Sequence, residues 1–208
     1  MTFTLSVEFD SGPIERSRAD VVVVPLFAGE RPLRGSAGRV DWRLCGRLSE
    51  LIASGRLKGD PGEAVLVPTC GGLRAPLLIA LGLGPRDGFD ARRWAATARD
   101  ALERCLKLGA STVTLPLCVA EVRDFALLEH AEALIAGAAR ALADRRADVN
   151  LRVVPSRLEA RRAAEALRSA RPRGLPGSVT LRRTGAALRP AESPRPQVSR
   201  DPRRPAVS

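Results

Sequence analysis

The stretch Ala75 to Ala110, APLLIALGLGPRDGFDARRWAATARDALERCLKLGA, restricts the fold more than any other part of the chain. Leu77, Leu78, Ile79, Ala80 and Leu81 form an apolar run too short for a buried helix, which predicts a strand covered on both faces. Gly82 and Gly84 end that strand. Asp90 has the character of an N-cap, and Trp94, Ala98, Ala101, Leu102, Cys105 and Leu108 then recur at helical spacing. Gly109 stops the helix, because glycine enters the left-handed conformation without a Cβ penalty. Thr112 to Cys118 follows as a further strand, so the unit reads strand, helix, strand, as in a βαβ crossover.

The remaining segments extend this alternation. Phe3, Leu5, Val7 and Phe9 alternate with Thr4, Ser6 and Glu8, which predicts a strand with one wet face. Val21 to Val24 with Leu26 and Phe27 is a β-branched run suited to the sheet interior, and Pro25 belongs near its end because it has no N–H to donate. Ala28 to Val40 reads as a loop rich in Gly and Arg. Asp41 then reads as the cap of a helix bearing Leu44, Leu48, Leu51 and Ile52. Ala64 to Thr69 and the strand at Leu77 are joined by so short a glycine link that they should form an antiparallel hairpin. A second long helix is expected from Asp124, a strand over Val149 to Val154, and an alanine-faced helix over Leu158 to Ala170. The predicted architecture is a three-layer α/β/α sandwich around a mixed sheet, with the strands at Val21, Val65 and Leu77 central.

At 208 residues the chain suffices for one core, placed here in residues 1 to 170. Of the net charge of +11, residues 171 to 208 carry +7, from nine arginines against Glu192 and Asp201. That segment also holds seven of the 16 prolines and no aromatic residue. It reads as a largely disordered tail, apart from a short strand at Ser178 to Leu181, with only non-specific attraction for nucleic acid. The N-terminus lacks a basic start and an apolar segment of signal type, and the longest uncharged apolar run, Val21 to Gly29, is far short of the roughly 20 residues a spanning helix needs. A cytoplasmic protein without membrane association is the expectation. Cys45, Cys70, Cys105 and Cys118 show no C-x-x-C spacing and are read as reduced thiols in or near the core.

Few side chains are arranged for chemistry. Gly82-x-Gly84 after a strand invites a phosphate-loop reading, but the third glycine of G-x-G-x-x-G falls on Asp87, and the helix starts late. The loop containing Arg34, Gly35, Ser36, Gly38 and Arg39 is the better anion site, since backbone amides beside guanidinium groups suit a phosphorylated ligand. Glu129, His130 and Glu132 lack the second histidine of H-E-x-x-H, and Asp60, Glu63 and Asp87 pair only if their loops converge. No metal site, no cofactor and no catalytic residue is assigned.

From Asp20 to Pro116 the chain resembles the N-terminal domain of the M17 leucyl (cytosol) aminopeptidases, a domain with a macro-domain-like fold. The resemblance rests on DVVVVPLF at Asp20, LIASGRLKGDPGE after Asp41, AVLVPT, and LLIALGLGPRDGFDARRWAATARDAL followed by KLGASTVTLPL. The Gly82 to Gly84 turn with Arg93 and Ala96 in the next helix is its most specific part. In that family two metal ions sit in a separate C-terminal domain, and segments of the form N-T-D-A-E-G-R-L and lysine followed by D-x-x-G do not occur here. Lys58 and Lys107 match neither, so the reading leans against an enzyme. The resemblance implies a stand-alone, non-catalytic relative that acts in assembly or regulation, as a homo-oligomer or with a protein partner. Two alternatives stand beside it: a macro-domain-type module for a nucleotide or ADP-ribose-like ligand, and a non-catalytic subunit of a split aminopeptidase. Without the two-metal constellation nothing polarises a peptide carbonyl. The purified chain with added zinc or manganese is therefore expected not to release leucine from a leucyl peptide; metal-dependent turnover that persists to homogeneity contradicts this.

Overall fold

The computed structural model describes residues 2–117, 127–155 and 160–184. Among these residues seven strands form one sheet: β1 (Phe3–Phe9), β2 (Val21–Leu26), β3 (Ala64–Pro68), β4 (Leu77–Gly82), β5 (Thr112–Pro116), β6 (Val149–Val154) and β7 (Val179–Thr184). Their spatial order is β3-β4-β2-β5-β6-β1-β7. Every pairing is parallel except β3 with β4, which form the antiparallel hairpin predicted from the glycine link. The sheet is mixed, as expected. The Val65 strand is not central, however: β3 is an edge strand, and Leu66 on it is exposed. Its pairing partners were legible, but which flank of the sheet the hairpin occupies is set by long-range contacts.

Three helices cover one face: α3 (Ala91–Lys107), α4 (Leu127–Arg145) and α5 (Ala160–Ser169). Two cover part of the other, α1 (Gly35–Arg43) and α2 (Arg47–Ala53). In β2 this divides the side chains cleanly, with Val21 and Val23 in the α3–α5 core and Val22, Val24 and Leu26 in the α1–α2 core. β4 is split in the same way, Ile79 and Leu81 against Leu78 and Ala80. Leu78 and Leu81 are almost completely buried, and each is worth about 1.5–3 kcal/mol. Pro25 lies opposite Leu81, beyond the two residues of β2 that pair with β5. At β1 and through β6 up to Val153 one face is apolar, with Leu5, Val7, Phe9, Val149, Leu151 and Val153 under the helices, while Val154 joins the core on the other face. The opposite face carries Ser6, Glu8, Asn150 and Arg152, with Glu8 and Arg152 paired across the strands at 3.3 Å.

Capping explains where the helices begin and end. Asp90 accepts from the Arg93 amide at 2.8 Å, and Gly109 follows α3 at a φ of 77°. Leu108, placed on the apolar face by spacing, instead caps the helix end and is exposed. Asp41 does not begin a helix; it is a buried residue of α1. Its carboxylate still caps one, accepting from the Leu48 and Ser49 amides and the Ser49 hydroxyl at the start of α2, where Gly46 has no side chain to offer. The cap proposed at Asp124 lies outside the described residues. Cys105 is buried, and burial pushes its thiol up to about 12, whereas Cys45 and Cys70 are exposed loop residues rather than core thiols. Cys118 also lies outside the described residues.

The segment after residue 170 is not wholly a tail. β7 pairs with β1 from Phe3↔Val179 to Glu8↔Thr184, extending the strand expected at Ser178 to Leu181 and carrying the folded unit past the boundary drawn from composition. Two of its arginines have structural work: Arg171 donates to the Arg168 and Ala170 carbonyls, and Arg183 donates to the same two. Cations at the end of α5 also complement its dipole. The tail assignment for residues 185–208 lies outside the described residues.

The tightest helix contact is α3 against α4. A Cβ on Gly137 would stand 2.1 Å from the Ala95 carbonyl oxygen and 2.9 Å from the Ala98 Cβ. Gly137→Val should force the helices apart at a cost of roughly 1–3 kcal/mol or more. Thermal denaturation should show a fall of about 2–4 °C for each kcal/mol, and an unchanged Tm contradicts this packing.

Candidate functional site

In open α/β sheets a ligand crevice normally forms beyond the carboxyl ends of the strands, where successive connections leave on opposite faces. Here β2 leads to α1 and β4 leads to α3, so that position is bounded by Phe27, Gly82 and Gly84. The chain itself fills it. The loop Lys58 to Glu63 sits on the strand ends, with the Gly84 amide donating to the Gly59 carbonyl at 2.8 Å and the Gly62 amide donating to Gly82 at 3.3 Å. A Cβ at Gly82 would lie 2.0 Å from the Asp60 carbonyl oxygen. The glycines of the G-L-G turn thus admit a backbone rather than a phosphate.

The loop is held from several sides. One oxygen of Glu63 accepts from the amides of Lys58, Gly59 and Asp60, and Arg104 from α3 donates to the Gly62 carbonyl at 2.8 Å. This cluster of amides is an anion site whose anion is the chain's own carboxylate. Arg93 donates to the carbonyls of Leu83 and Asp87, fixing the turn between β4 and α3. Beside it, Phe27, Phe89 and Trp94 pack ring against ring, and Arg86 lies 4.4 Å over the Phe27 ring while also reaching Glu30. Glu63 is therefore committed to its loop, and no pairing with Asp60 or Asp87 is seen. His130 is buried against Trp94, Glu132 accepts from the Arg171 amide, and Glu129 is exposed. Among the described residues no three His, Cys, Asp or Glu side chains lie close enough to hold a metal ion.

An open groove of ≈ 500 Å³ runs along α1, lined by Glu15, Arg16, Leu33, Gly35, Gly38, Arg39, Trp42 and Arg43, and a smaller one of ≈ 380 Å³ lies between α3 and α4 beside Arg92, Arg99 and Arg140. The position of the first overturns the reading of Ala28 to Val40 as a loop. The chain turns helical at Gly35, because Ala37 and Val40 bury themselves against β2 and outweigh the poor helix propensity of two glycines. Gly35, Gly38 and Arg39 of the predicted anion site thus line a helix face; Ser36 and Arg34 do not line the groove. Gly38 packs so closely on the preceding loop that a Cβ would stand 2.4 Å from the Leu33 carbonyl oxygen, so Gly38→Val disturbs the fold before it tests binding. Glu15 and Arg39 approach to 3.9 Å across the groove.

The residue sequence reasoning missed is Trp42. It is 81% exposed, the most exposed large apolar side chain of the described residues. Its signal was phase: once α1 is started at Gly35, Ala37, Val40 and Leu44 share the buried face, and Trp42 falls with Gly35, Gly38 and Arg39 on the outer one. Arg16 and Arg43 complete the basic wall through proximity that no local spacing reveals.

Comparison with known proteins gives one family and one fold. The profile described as "Cytosol aminopeptidase family, N-terminal domain" matches residues 23–143. A probable cytosol aminopeptidase of Streptomyces griseus is 35% identical over 130 residues, covering 58% of this chain and 24% of that protein. One from Halorhodospira halophila is 30% identical over 125 residues, covering 59% and 25%. The chain thus spans about a quarter of the length of these curated relatives. Among solved structures, the Trypanosoma brucei macrodomain in complex with ADP-ribose matches with a TM-score of 0.62 at 17% identity, over 76% of this chain and 66% of that one. A single-site mutant of the Oceanobacillus iheyensis macrodomain matches with a TM-score of 0.59 at 17% identity, over 79% and 89%. These likenesses show a macrodomain-like fold. No helix among the described residues is long and apolar enough to cross a membrane.

Because Trp42 supports nothing beneath it, Trp42→Ser should shift Tm by no more than about 2 °C, the usual range for a surface substitution, whereas Gly38→Val should lower it clearly. A large loss in Trp42→Ser would show that the indole is part of the core.

Proposed function

Since the chain belongs to the cytosol aminopeptidase family through that family's N-terminal domain, we propose that it acts by association, as a non-catalytic module of assembly or regulation whose contact face is the outer side of α1. The observation that carries this reading is Trp42, a large side chain held almost wholly in water on a helix whose other face is buried. Tryptophan left in water is an unfavourable arrangement unless a partner covers it, and it is enriched where binding energy concentrates. A separately encoded catalytic domain is one form such a partner can take, which makes the split-aminopeptidase reading a case of this one.

The second reading is a phosphorylated small ligand of nucleotide or ADP-ribose type in the same groove. Arg16, Arg39 and Arg43 favour it through their charge, and the ADP-ribose complex of the Trypanosoma brucei macrodomain favours it by fold analogy. The filled strand ends weigh against placing such a ligand at Gly82 to Gly84.

Light scattering of the full chain, alone and coexpressed with the product of an adjacent reading frame, separates the two. Association predicts a mass above the 22.2 kDa of one chain in at least one of these samples, reverting in Trp42→Ser. A single-chain mass in both, together with a rise in Tm on adding ADP-ribose, contradicts association and favours the ligand.

A further inference from the structure

The groove along α1 has a chemistry that selects among partners. Gly35, Gly38, Arg39 and Trp42 follow at intervals of three and four, so they form one stripe along the helix. Gly35 leaves the start of that stripe without a side chain, while the Leu33 carbonyl already occupies the space that a side chain at Gly38 would take. Leu33 and the exposed indole of Trp42 give the groove an apolar surface. Its charged members are Arg16, Arg39 and Arg43 against Glu15 alone, and Glu15 already faces Arg39 at 3.9 Å. Arg43 donates its Nε to the Gly72 carbonyl, which fixes the guanidinium at the rim without neutralising it. The first turn of α1 carries no acid and no side-chain cap, so the helix dipole adds to the same sign.

On the reading that α1 is an association face, we infer that its occupant is an acidic segment of a partner protein bearing an apolar side chain, which covers Trp42 while carboxylates lie among Arg16, Arg39 and Arg43. Charge complementarity decides this against the alternatives. A second copy meeting this face with its own identical face brings the same three arginines together, and like charges across an interface disfavour the contact. A nucleic-acid strand would find one aromatic platform instead of a row, with the Glu15 carboxylate in the wall.

The test uses the full chain and a fluorescent peptide of glutamates and serines around one central leucine, followed by anisotropy. Saturable binding is expected, weakening as salt is raised from about 0.05 to about 0.5 M. Replacing the glutamates with lysines should abolish it, and replacing the leucine with serine should weaken it. Trp42→Ser should weaken it at least about tenfold, a typical loss for an interface tryptophan, and Arg16→Glu should act in the same direction. Binding that is absent, unaffected by Trp42→Ser, or weaker than that of a single-stranded oligodeoxythymidine overturns the inference. If the acidic peptide fails while light scattering shows self-association that Trp42→Ser removes, the acidic partner is wrong and the association reading stands. If the peptide fails and no association depends on Trp42, both fall.

Discussion

The seating of the Lys58 to Glu63 loop on the carboxyl ends of β2 and β4 is the contact on which the arrangement of this domain depends. It requires glycine at positions 59, 82 and 84: at 59 and 82 because neighbouring backbone would strike a Cβ, at 84 because of a positive φ beside Pro61 and Arg93. The loop adds to the contacts by which the segments on the two faces of the sheet meet, among them Phe27 with Phe89 and Arg86 with Glu30. It lies between α2 and β3 in sequence, it hydrogen-bonds to the end of β4, and it receives Arg104 from α3 on the opposite face. Glu63 supplies the charge that keeps three of its amides satisfied without water. A crevice that the α/β topology would leave open is thereby used for stability.

An open groove lies instead along α1. Helix α1 is held on the sheet by only a few residues, chiefly Ala37 and Val40, and its buried Asp41 is spent on capping α2. On its outer side Gly38 is packed on the Leu33 carbonyl, whereas Trp42 stands free of the core. Trp42 there is exposed beside Arg16, Arg39 and Arg43, which makes this face, and not the strand ends, the proposed contact surface. Most of this face, from Leu33 to Arg43, lies within residues 23–143 that match the N-terminal-domain profile, and Glu15 and Arg16 join it from just before that stretch.

The elements legible in the sequence were those specified by neighbours in the chain. The Leu77 strand, the Asp90 cap and the Gly109 stop each depend on residues within a few positions, and all three are found where the pattern put them. The hairpin of β3 and β4 followed from loop length alone. Helix α1 looks like loop in the sequence because Gly35 and Gly38 lower helix propensity locally, while burial of Ala37 and Val40 against β2 is a tertiary gain that composition does not record. The edge position of β3 and the pairing of β7 with β1 are likewise products of distant contacts. Of the residues lining the groove, Gly35, Gly38 and Arg39 belong to the anion loop expected from the sequence, whereas Trp42, Arg16 and Glu15 reach it only through the fold.

The central claim, that the strand-end crevice is closed by the chain itself, is open to direct measurement by amide hydrogen exchange. The amides of Lys58, Gly59, Asp60, Gly62, Gly82 and Gly84 all donate within this loop and strand-end contact. Slow exchange is expected at these positions in the free protein, with no change when ADP-ribose is added. Fast exchange in the free protein that becomes slow with ADP-ribose would mean that the loop opens and the crevice is a ligand site, contradicting the account.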